Sequence, residues 1–177
     1  GIHRNVRLHV TDKIYQTLPL YSSLQTTGVY VHASEIDVKN KTAEVTVETQ
    51  IRNEHSTAKS VGLEVTITDL SGRVVKKLNG PRHRIAAGET KIISAADKLT
   101  GLNFWSWGYG YLYNVTTDLK IDGKIVDSVR TRTGFRKTEF GNGLFKLNDR
   151  TLQVKGYAQR ASNEWPALGN AVPPWMS

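Results

Sequence analysis

Apolar and polar residues alternate with a period of two along most of the central part of this chain. The pattern is most regular from Ala43 to Ile51, where Glu44 and Glu48 lie on the polar face. Successive side chains of a β-strand point to opposite faces of its sheet, so this period predicts half-buried strands and no amphipathic helix. Further segments with the same alternation begin at Val29, Val61 and Tyr113.

Turn-forming residues separate these segments. Asp69 to Gly72 and Ala87 to Glu89 predict tight turns, and Asp122 with Gly123 predicts a two-residue hairpin, because Asp bonds its own backbone and Gly adopts positive φ. The pattern indicates about seven short strands between residues 27 and 133. Two antiparallel sheets packed face to face bury all of the alternating faces at once. We therefore predict an all-β fold, an immunoglobulin-like antiparallel β-sandwich, over residues 27–133.

The flanking segments lack this repeated pattern. Residues 1–10 predict one strand without a neighbour, followed by a proline-containing connector. Residues 134–177 contain turns at 141–143 and 148–149, a short apolar strand from Leu152 to Gly156, and three of the five prolines. A lone strand is not stable by itself, so we expect both flanks to belong to other domains of a longer protein. Such strands could pair with another copy of the chain, as a homo-oligomer, or fold back onto the sandwich.

Charge and composition narrow the range of partners. Lys and Arg outnumber Asp and Glu by 24 to 16, which gives a net charge of +8. The basic residues are nevertheless spread along alternating strands, as is typical of a solvated sheet face, so we expect no nucleic-acid partner. No apolar run approaches the roughly 20 residues that cross a bilayer, and we expect no membrane partner. The absence of cysteine fits either redox compartment, and we favour an exported or periplasmic location.

No constellation of residues indicates catalysis. The five histidines lack metal-ligand spacing and no glycine loop could cradle phosphate, so we expect neither a metal nor a cofactor. Glycoside hydrolysis needs two carboxylates about 5 to 9.5 Å apart, whereas Glu44 and Glu48 would be roughly 13 Å apart along one strand. We expect no catalytic residue in this chain. The same solvent-facing interpretation applies to Asp118, Asp122 and Asp127.

An aromatic segment at 104–113 is the first candidate for ligand binding. It holds six aromatic residues in ten positions. Exposed aromatic rings can stack on sugars or bases, but a loop of this kind can also cap the open end of the sandwich or dock on a neighbouring domain. The candidate contact residues are Trp105, Trp107 and Tyr109.

A second candidate follows the apolar strand at 152–156. If that strand opens a parallel α/β barrel, the loop after it lies on the face where such barrels hold their active sites. An ordinary connecting loop is the alternative. The candidate substrate-binding residues are Gln159, Arg160, Asn163, Glu164 and Trp165.

Four short motifs resemble, in order along the chain, those of the β-galactosidase-like glycoside hydrolase family 2. The segment from Gly1 to Val6 is similar to the strand that ends the family's sugar-binding jelly roll, and residues 105–115 resemble its Trp…Leu-Tyr-x-Val signature. Gly134-Phe135-Arg136 matches the exit from its immunoglobulin-like domain. Residues 147–150 with Lys155 and Gly156 resemble the start of its catalytic barrel.

This resemblance implies three parts. Residues 1–26 would end a sugar-binding jelly-roll domain and form a linker, residues 27–133 the sandwich, and residues 134–177 the truncated start of a (β/α)8 barrel. The parent would be a retaining β-galactosidase whose two catalytic glutamates come from later barrel strands. The fragment itself would then be a non-catalytic scaffold, with neighbouring domains and carbohydrate as partners. The alternative is a carbohydrate-binding or adhesion module that uses residues 104–113.

Overall fold

A computed structural model describes residues 6–156, and this part of the chain consists of β-strands joined by turns and loops. Among these residues no helix is long and apolar enough to cross a membrane. The strands are β1 (Ile14–Gln16), β2 (Val29–Asp37), β3 (Thr42–Asn53), β4 (Lys59–Thr68), β5 (Val74–Asn79), β6 (His83–Ile85), β7 (Thr90–Leu99), β8 (Tyr113–Ile121), β9 (Lys124–Thr133), β10 (Thr138–Gly141), β11 (Leu144–Leu147) and β12 (Arg150–Thr151).

The first sheet is organised around the long strand β3. Strand β7 pairs antiparallel with one edge of β3, with Thr49 opposite Ile93. Strands β2 and β1 follow each other along the other edge, with Val29 opposite Thr49 and Gln16 opposite Ile51. Both edges of β3 are therefore hydrogen-bonded.

The second sheet has β4 and β8 at its centre. Strands β5 and β6 share the outer edge of β4, and β9 forms the other edge of the sheet through its hairpin with β8. Asp122 and Gly123 in that hairpin have φ values of 47° and 80°. These are the conformations of the tight two-residue turn that the sequence predicts.

The inward faces of the two sheets form one apolar core. In β3 and β4 alternate residues are buried, as the period of two predicts. Complete burial of such a side chain contributes about 1.5 to 3 kcal/mol. The predicted all-β sandwich is thus confirmed. Its largest fully buried side chains are Tyr113, Ile14, Ile51, Ile67, Ile85, Leu99, Leu102, Leu119, Val45, Val47, Val61 and Val65.

Strand β1 lies within the segment that the sequence predicts to be a connector, which corrects that expectation for residues 14–16. Ile14 is fully buried, and the buried Gln16 links the two sheets. The Gln16 side-chain amide donates a hydrogen bond to the Thr117 carbonyl oxygen at 3.0 Å and accepts one from the Thr49 hydroxyl at 3.0 Å. Its backbone N–H donates to the Asp127 carboxylate at 2.8 Å. Polar groups in the core are thereby satisfied across the interface.

The flanks also differ from the predicted strands. Residues 6–10 and 152–156 belong to no strand, which corrects the strands expected there. Strands β10 to β12 instead form a small antiparallel meander, with turns at the predicted positions 142–143 and 148–149. One compact unit extends over Thr11–Leu152 and is wider than the predicted sandwich at both ends.

Candidate functional site

The loop between β7 and β8 carries the aromatic segment and ends in a sharp turn. Ser106 and Tyr109 exchange two backbone hydrogen bonds of 2.9 and 3.0 Å, and Gly108 between them has a φ of 74°. This turn leaves Trp107 78% exposed and Tyr109 51% exposed. We call these two residues the aromatic tip.

The base of the same loop is packed into the protein. Phe104 and Tyr113 belong to the core. The Asn103 backbone N–H donates to the Tyr113 hydroxyl at 2.8 Å, and burial raises the pKa of that hydroxyl. Trp105 is half-buried, with the Arg136 guanidinium 5.5 Å from its ring centroid in a cation–π arrangement. The three predicted contact residues therefore separate into a packed Trp105 and an exposed tip.

A row of aromatic rings connects the tip to the core. Tyr109 stacks on Tyr111 with ring centroids 5.7 Å apart, and Tyr111 meets Tyr113 edge-on at 5.1 Å. Tyr113 then contacts the buried Phe135 at 5.3 Å. Aromatic contacts in this distance range are attractive beyond the area that they bury, so the row supports the tip mechanically.

The Gly134-Phe135-Arg136 motif has a direct structural explanation. A Cβ atom on Gly134 would lie 2.8 Å from the Tyr111 carbonyl oxygen and 3.0 Å from the Trp105 Cβ atom, so only glycine fits. Phe135 fills the core, and its carbonyl oxygen accepts a hydrogen bond from the Trp105 N–H at 2.8 Å. All three residues of the motif thus hold the base of the aromatic loop.

Asn148 joins the β10–β12 meander to the same loop. Its side-chain amide donates to the Trp105 carbonyl oxygen at 2.9 Å and accepts from the Lys137 N–H at 3.0 Å. Its own N–H donates to the Lys137 carbonyl oxygen at 2.9 Å. The Lys137 ammonium lies 2.7 Å from an Asp149 carboxylate oxygen, which raises the pKa of this lysine.

The other predicted site residues have different outcomes. Gln159, Arg160, Asn163, Glu164 and Trp165 lie outside the described residues, so their role stays a prediction. Within residues 6–156 no group of three or more His, Asp or Glu side chains could hold a metal ion.

The acidic residues around the β8–β9 hairpin make local contacts. Asp118 accepts a hydrogen bond from the Ser128 hydroxyl at 2.7 Å. Asp127 accepts from the Gln16 N–H, and Asp122 is 89% exposed with Arg82 at 3.7 Å. Asp122 therefore faces solvent as predicted, whereas Asp118 and Asp127 are half-buried and bonded within the sandwich, which corrects the solvent-facing interpretation for these two residues.

One concavity was not anticipated from the sequence. On the outer face of the first sheet, residues of the connector before β2 and of strands β2, β3 and β7 line an open concavity with a volume of about 220 Å³. The sequence signal was weak, because Tyr21, Tyr30 and Glu48 come from separate segments. We call this concavity the outer cleft. It is lined by Tyr21, Thr27, Gly28, Tyr30, Glu48 and Ile92.

Comparison with known sequences gives one family and several relatives. A family model described as "Glycosyl hydrolases family 2" matches residues 27–136. A curated β-glucuronidase from Formosa agariphila is 35% identical over 177 residues, which is 99% of this chain and 18% of that protein. A curated β-galactosidase from Thermoanaerobacter pseudethanolicus is 33% identical over 70 residues, 39% of this chain and 9% of that protein.

Comparison with solved structures agrees with the sequence matches. A β-glucuronidase from glycoside hydrolase family 2 superposes with a TM-score of 0.80 and 33% identity, over 92% of this chain and 17% of that chain. A putative β-galactosidase from Bacteroides fragilis superposes with a TM-score of 0.75 and is 26% identical, over 92% of this chain and 23% of that chain. The chain therefore spans less than a quarter of the length of each of these four relatives.

Proposed function

The chain belongs to family 2 of the glycosyl hydrolases, and on that premise we propose that it supplies the immunoglobulin-like sandwich of a larger β-glycosidase. The observation that carries this proposal is the extent of the family match. It begins just before β2 and ends at Arg136, so it covers every strand of the two sheets except β1, together with the motif that holds the aromatic loop. In this role the sandwich is a rigid scaffold that keeps other domains in register, since small displacements of substrate-positioning groups reduce turnover strongly.

The activity of the whole protein is proposed as hydrolysis of β-glycosidic bonds with retention, through two glutamates that other parts of the protein contribute. We place β-glucuronides first among the substrates. The relative that aligns with 99% of this chain is a β-glucuronidase, whereas the curated β-galactosidase from Thermoanaerobacter pseudethanolicus aligns with only 39% of it. β-Galactosides are the second candidate.

The chain alone is proposed to be inactive. Asp118 and Asp127 are hydrogen-bonded to neighbouring groups of the sandwich. Glu44 and Glu48 are four residues apart on one face of β3, too far for a retaining pair. These carboxylates do not supply a nucleophile and an acid facing each other across one bond.

The experiment compares the full-length protein with the 177-residue chain on chromogenic β-glucuronide and β-galactoside. We expect turnover only by the full-length protein, with β-glucuronide the better substrate. Faster turnover of β-galactoside would select the second candidate. Hydrolysis by the chain alone, absent from a mock purification of the same host, would contradict the scaffold role.

The aromatic tip is proposed as a contact with a neighbouring domain of the parent protein. Its support is the exposure of Trp107 and Tyr109 on a loop whose base is fixed to the meander by the hydrogen bond from Asn148 to Trp105. Trp107→Ala should leave the stability of the isolated chain unchanged, because the side chain is exposed, and should lower the thermal midpoint of the full-length protein. Oligosaccharides could instead quench the tryptophan fluorescence of the isolated chain in a saturable way. Such quenching, if it is lost in the same variant, would favour the carbohydrate-binding alternative.

A further inference from the structure

We propose that the outer cleft binds one ring of a neutral pyranoside. The choice of a glycan as the ligand class rests on the proposed function. The location, the charge preference and the size limit come from the cleft itself.

Glu48 lines the cleft and is the one acidic residue in its lining. Glu48 lies on the outward face of β3, between Tyr30 on β2 and Ser94 on β7 in the sheet register. It is half-buried, and within residues 6–156 it takes part in no ion pair or side-chain hydrogen bond. Glu44, on the same face, lies opposite Lys98 instead. An ionised carboxylate without a protein partner is a strong acceptor for ligand hydroxyls.

The walls of the cleft are apolar and partly aromatic. Tyr30 is 53% exposed and its ring stacks on His32 with centroids 5.1 Å apart, which fixes its orientation. Tyr21 is 60% exposed and donates its hydroxyl hydrogen to the Thr27 carbonyl oxygen at 3.3 Å. Ile92, which is 52% exposed, completes the wall. Such rings present flat faces on which the C–H face of a sugar can stack.

The connector that lines one side of the cleft is held to the sheet by hydrogen bonds. The Gln50 side-chain oxygen accepts from the Thr17 hydroxyl at 2.8 Å and from the Thr27 N–H at 3.1 Å. Gly28 has a φ of 64°, and a Cβ atom there would lie 2.8 Å from the Pro19 nitrogen. The cleft is therefore formed before any ligand binds, which lowers the ordering cost of binding.

Size and charge select the ligand. A volume of about 220 Å³ is below the roughly 300 to 1,000 Å³ of sites for drug-sized ligands, so it suits a single ring. The one charged group in the cleft is an acceptor, and the ligand must supply hydrogen-bond donors together with an apolar face. Pyranose hydroxyls and ring C–H groups meet both needs. A sugar carboxylate would be repelled by Glu48.

The test uses the isotope-labelled 177-residue chain titrated with methyl β-glucoside, methyl β-galactoside and methyl β-glucuronide. We expect saturable amide shifts around Gly28, Tyr30 and Glu48 with a neutral glycoside, with a dissociation constant on the order of 1 to 10 mM. The glucuronide should bind at least about tenfold more weakly. Tetramethylammonium chloride serves as the probe for a cation site.

Matched variants distinguish binding in the cleft from binding elsewhere on the same face of the sheet. Tyr30→Ala and Glu48→Gln should each weaken binding about tenfold, whereas Glu44→Gln should not change it. Glu48→Gln should also reduce the difference in affinity between the glucoside and the glucuronide. The dispersed spectrum of each variant reports that it is folded.

Three results would overturn the proposal. They are the absence of saturable shifts with both neutral glycosides at about 100 mM, equal effects of the Glu44 and Glu48 variants, and binding of tetramethylammonium alone. Binding is measured on the chain and hydrolysis on the full-length protein. A failure of the cleft proposal is therefore distinguishable from a failure of the proposed glycosidase role.

Discussion

At the scale of single residues, the backbone is tightly packed where the sandwich meets the aromatic loop. Gly134 leaves no room for a methyl group against Tyr111 and Trp105. Its φ is not in the left-handed region, so the requirement for glycine comes from contact and not from backbone conformation. The Gly-Phe-Arg motif thus has a packing basis that can be measured.

We predict that Gly134→Ala destabilises the chain by about 1 to 3 kcal/mol, because the added carbon forces backbone or core side chains to move. Urea unfolding followed by circular dichroism gives the free energy of unfolding. Gly62→Ala in β4 is the matched control, since nothing lies within 4 Å of a Cβ atom there. Equal stability of the two variants would contradict the packing explanation.

At the scale of elements, the sequence predicts the strands and turns that are determined by residues close together along the chain. The long strands followed from alternation, and the turns at 69–72 and 122–123 followed from Asp and Gly. Strand β1 did not, because three residues carry no measurable period and Gln16 finds its partners at Thr117 and Asp127, about a hundred residues away. Strand β10 was missed because all four of its residues are exposed.

The candidate sites also depend partly on local sequence and partly on contacts between residues that are distant along the chain. Aromatic content located the loop at 104–113, but only the three-dimensional contacts separate Trp105, under Arg136, from the exposed Trp107. Glu48 looked equivalent to Glu44 because both share one strand face. The difference between them arises from Tyr21 and Ile92, which belong to other elements.

Strand β1 is predicted to be necessary for a stable sandwich. A chain that begins at residue 27 should be less stable than one that begins at residue 11 by at least about 3 kcal/mol. It loses the buried Ile14 side chain and leaves the Thr49 hydroxyl and Thr117 carbonyl without Gln16. Chemical unfolding of both chains measures the difference, and equal midpoints with equal slopes would show that β1 is dispensable.

The turn between β4 and β5 should contribute to acid sensitivity. The hydrogen bond from the Ser71 hydroxyl, together with those from Arg73, lowers the pKa of Asp69. A lowered folded-state pKa adds stability above the ordinary carboxyl value and loses it as the pH falls through the folded value.

We therefore expect Asp69→Asn to reduce the free energy of unfolding at pH 7. The difference in the free energy of unfolding between this variant and the unmodified chain should decrease as the pH is lowered from about 5 to about 2. Asp122→Asn, in a hairpin turn where the side chain is 89% exposed, is the control. A difference that is constant across this pH range would exclude ionisation of Asp69 as the cause.

At the scale of the whole molecule, the sandwich and the meander should unfold together, because Asn148 bonds to both Lys137 and Trp105. In a chain with Trp165 and Trp175 replaced by Phe, tryptophan fluorescence reports on residues 105 and 107. Its urea transition should coincide with that of circular dichroism. An earlier fluorescence transition, retained in Asn148→Ala, would contradict this coupling.

Assembly with other copies stays a prediction at this scale. The sequence supports such assembly only through strands at the two ends of the chain, and the described parts of both flanks, residues 6–10 and 152–156, contain no strand. The neighbouring domains of the larger glycosidase are the partners that the proposed function requires.

The hydrogen bonds of Asn148 have a practical consequence for engineering. A designer who wishes to transplant this module into another member of the family would be tempted to cut after Thr133, where the last long strand ends. That cut would remove the meander and with it the hydrogen bond from Asn148 to the aromatic loop. Boundaries before Thr11 and after Leu152 keep the Asn148–Trp105 hydrogen bond within the transferred segment. Chimeras with those boundaries should express as soluble proteins more often than chimeras cut after Thr133.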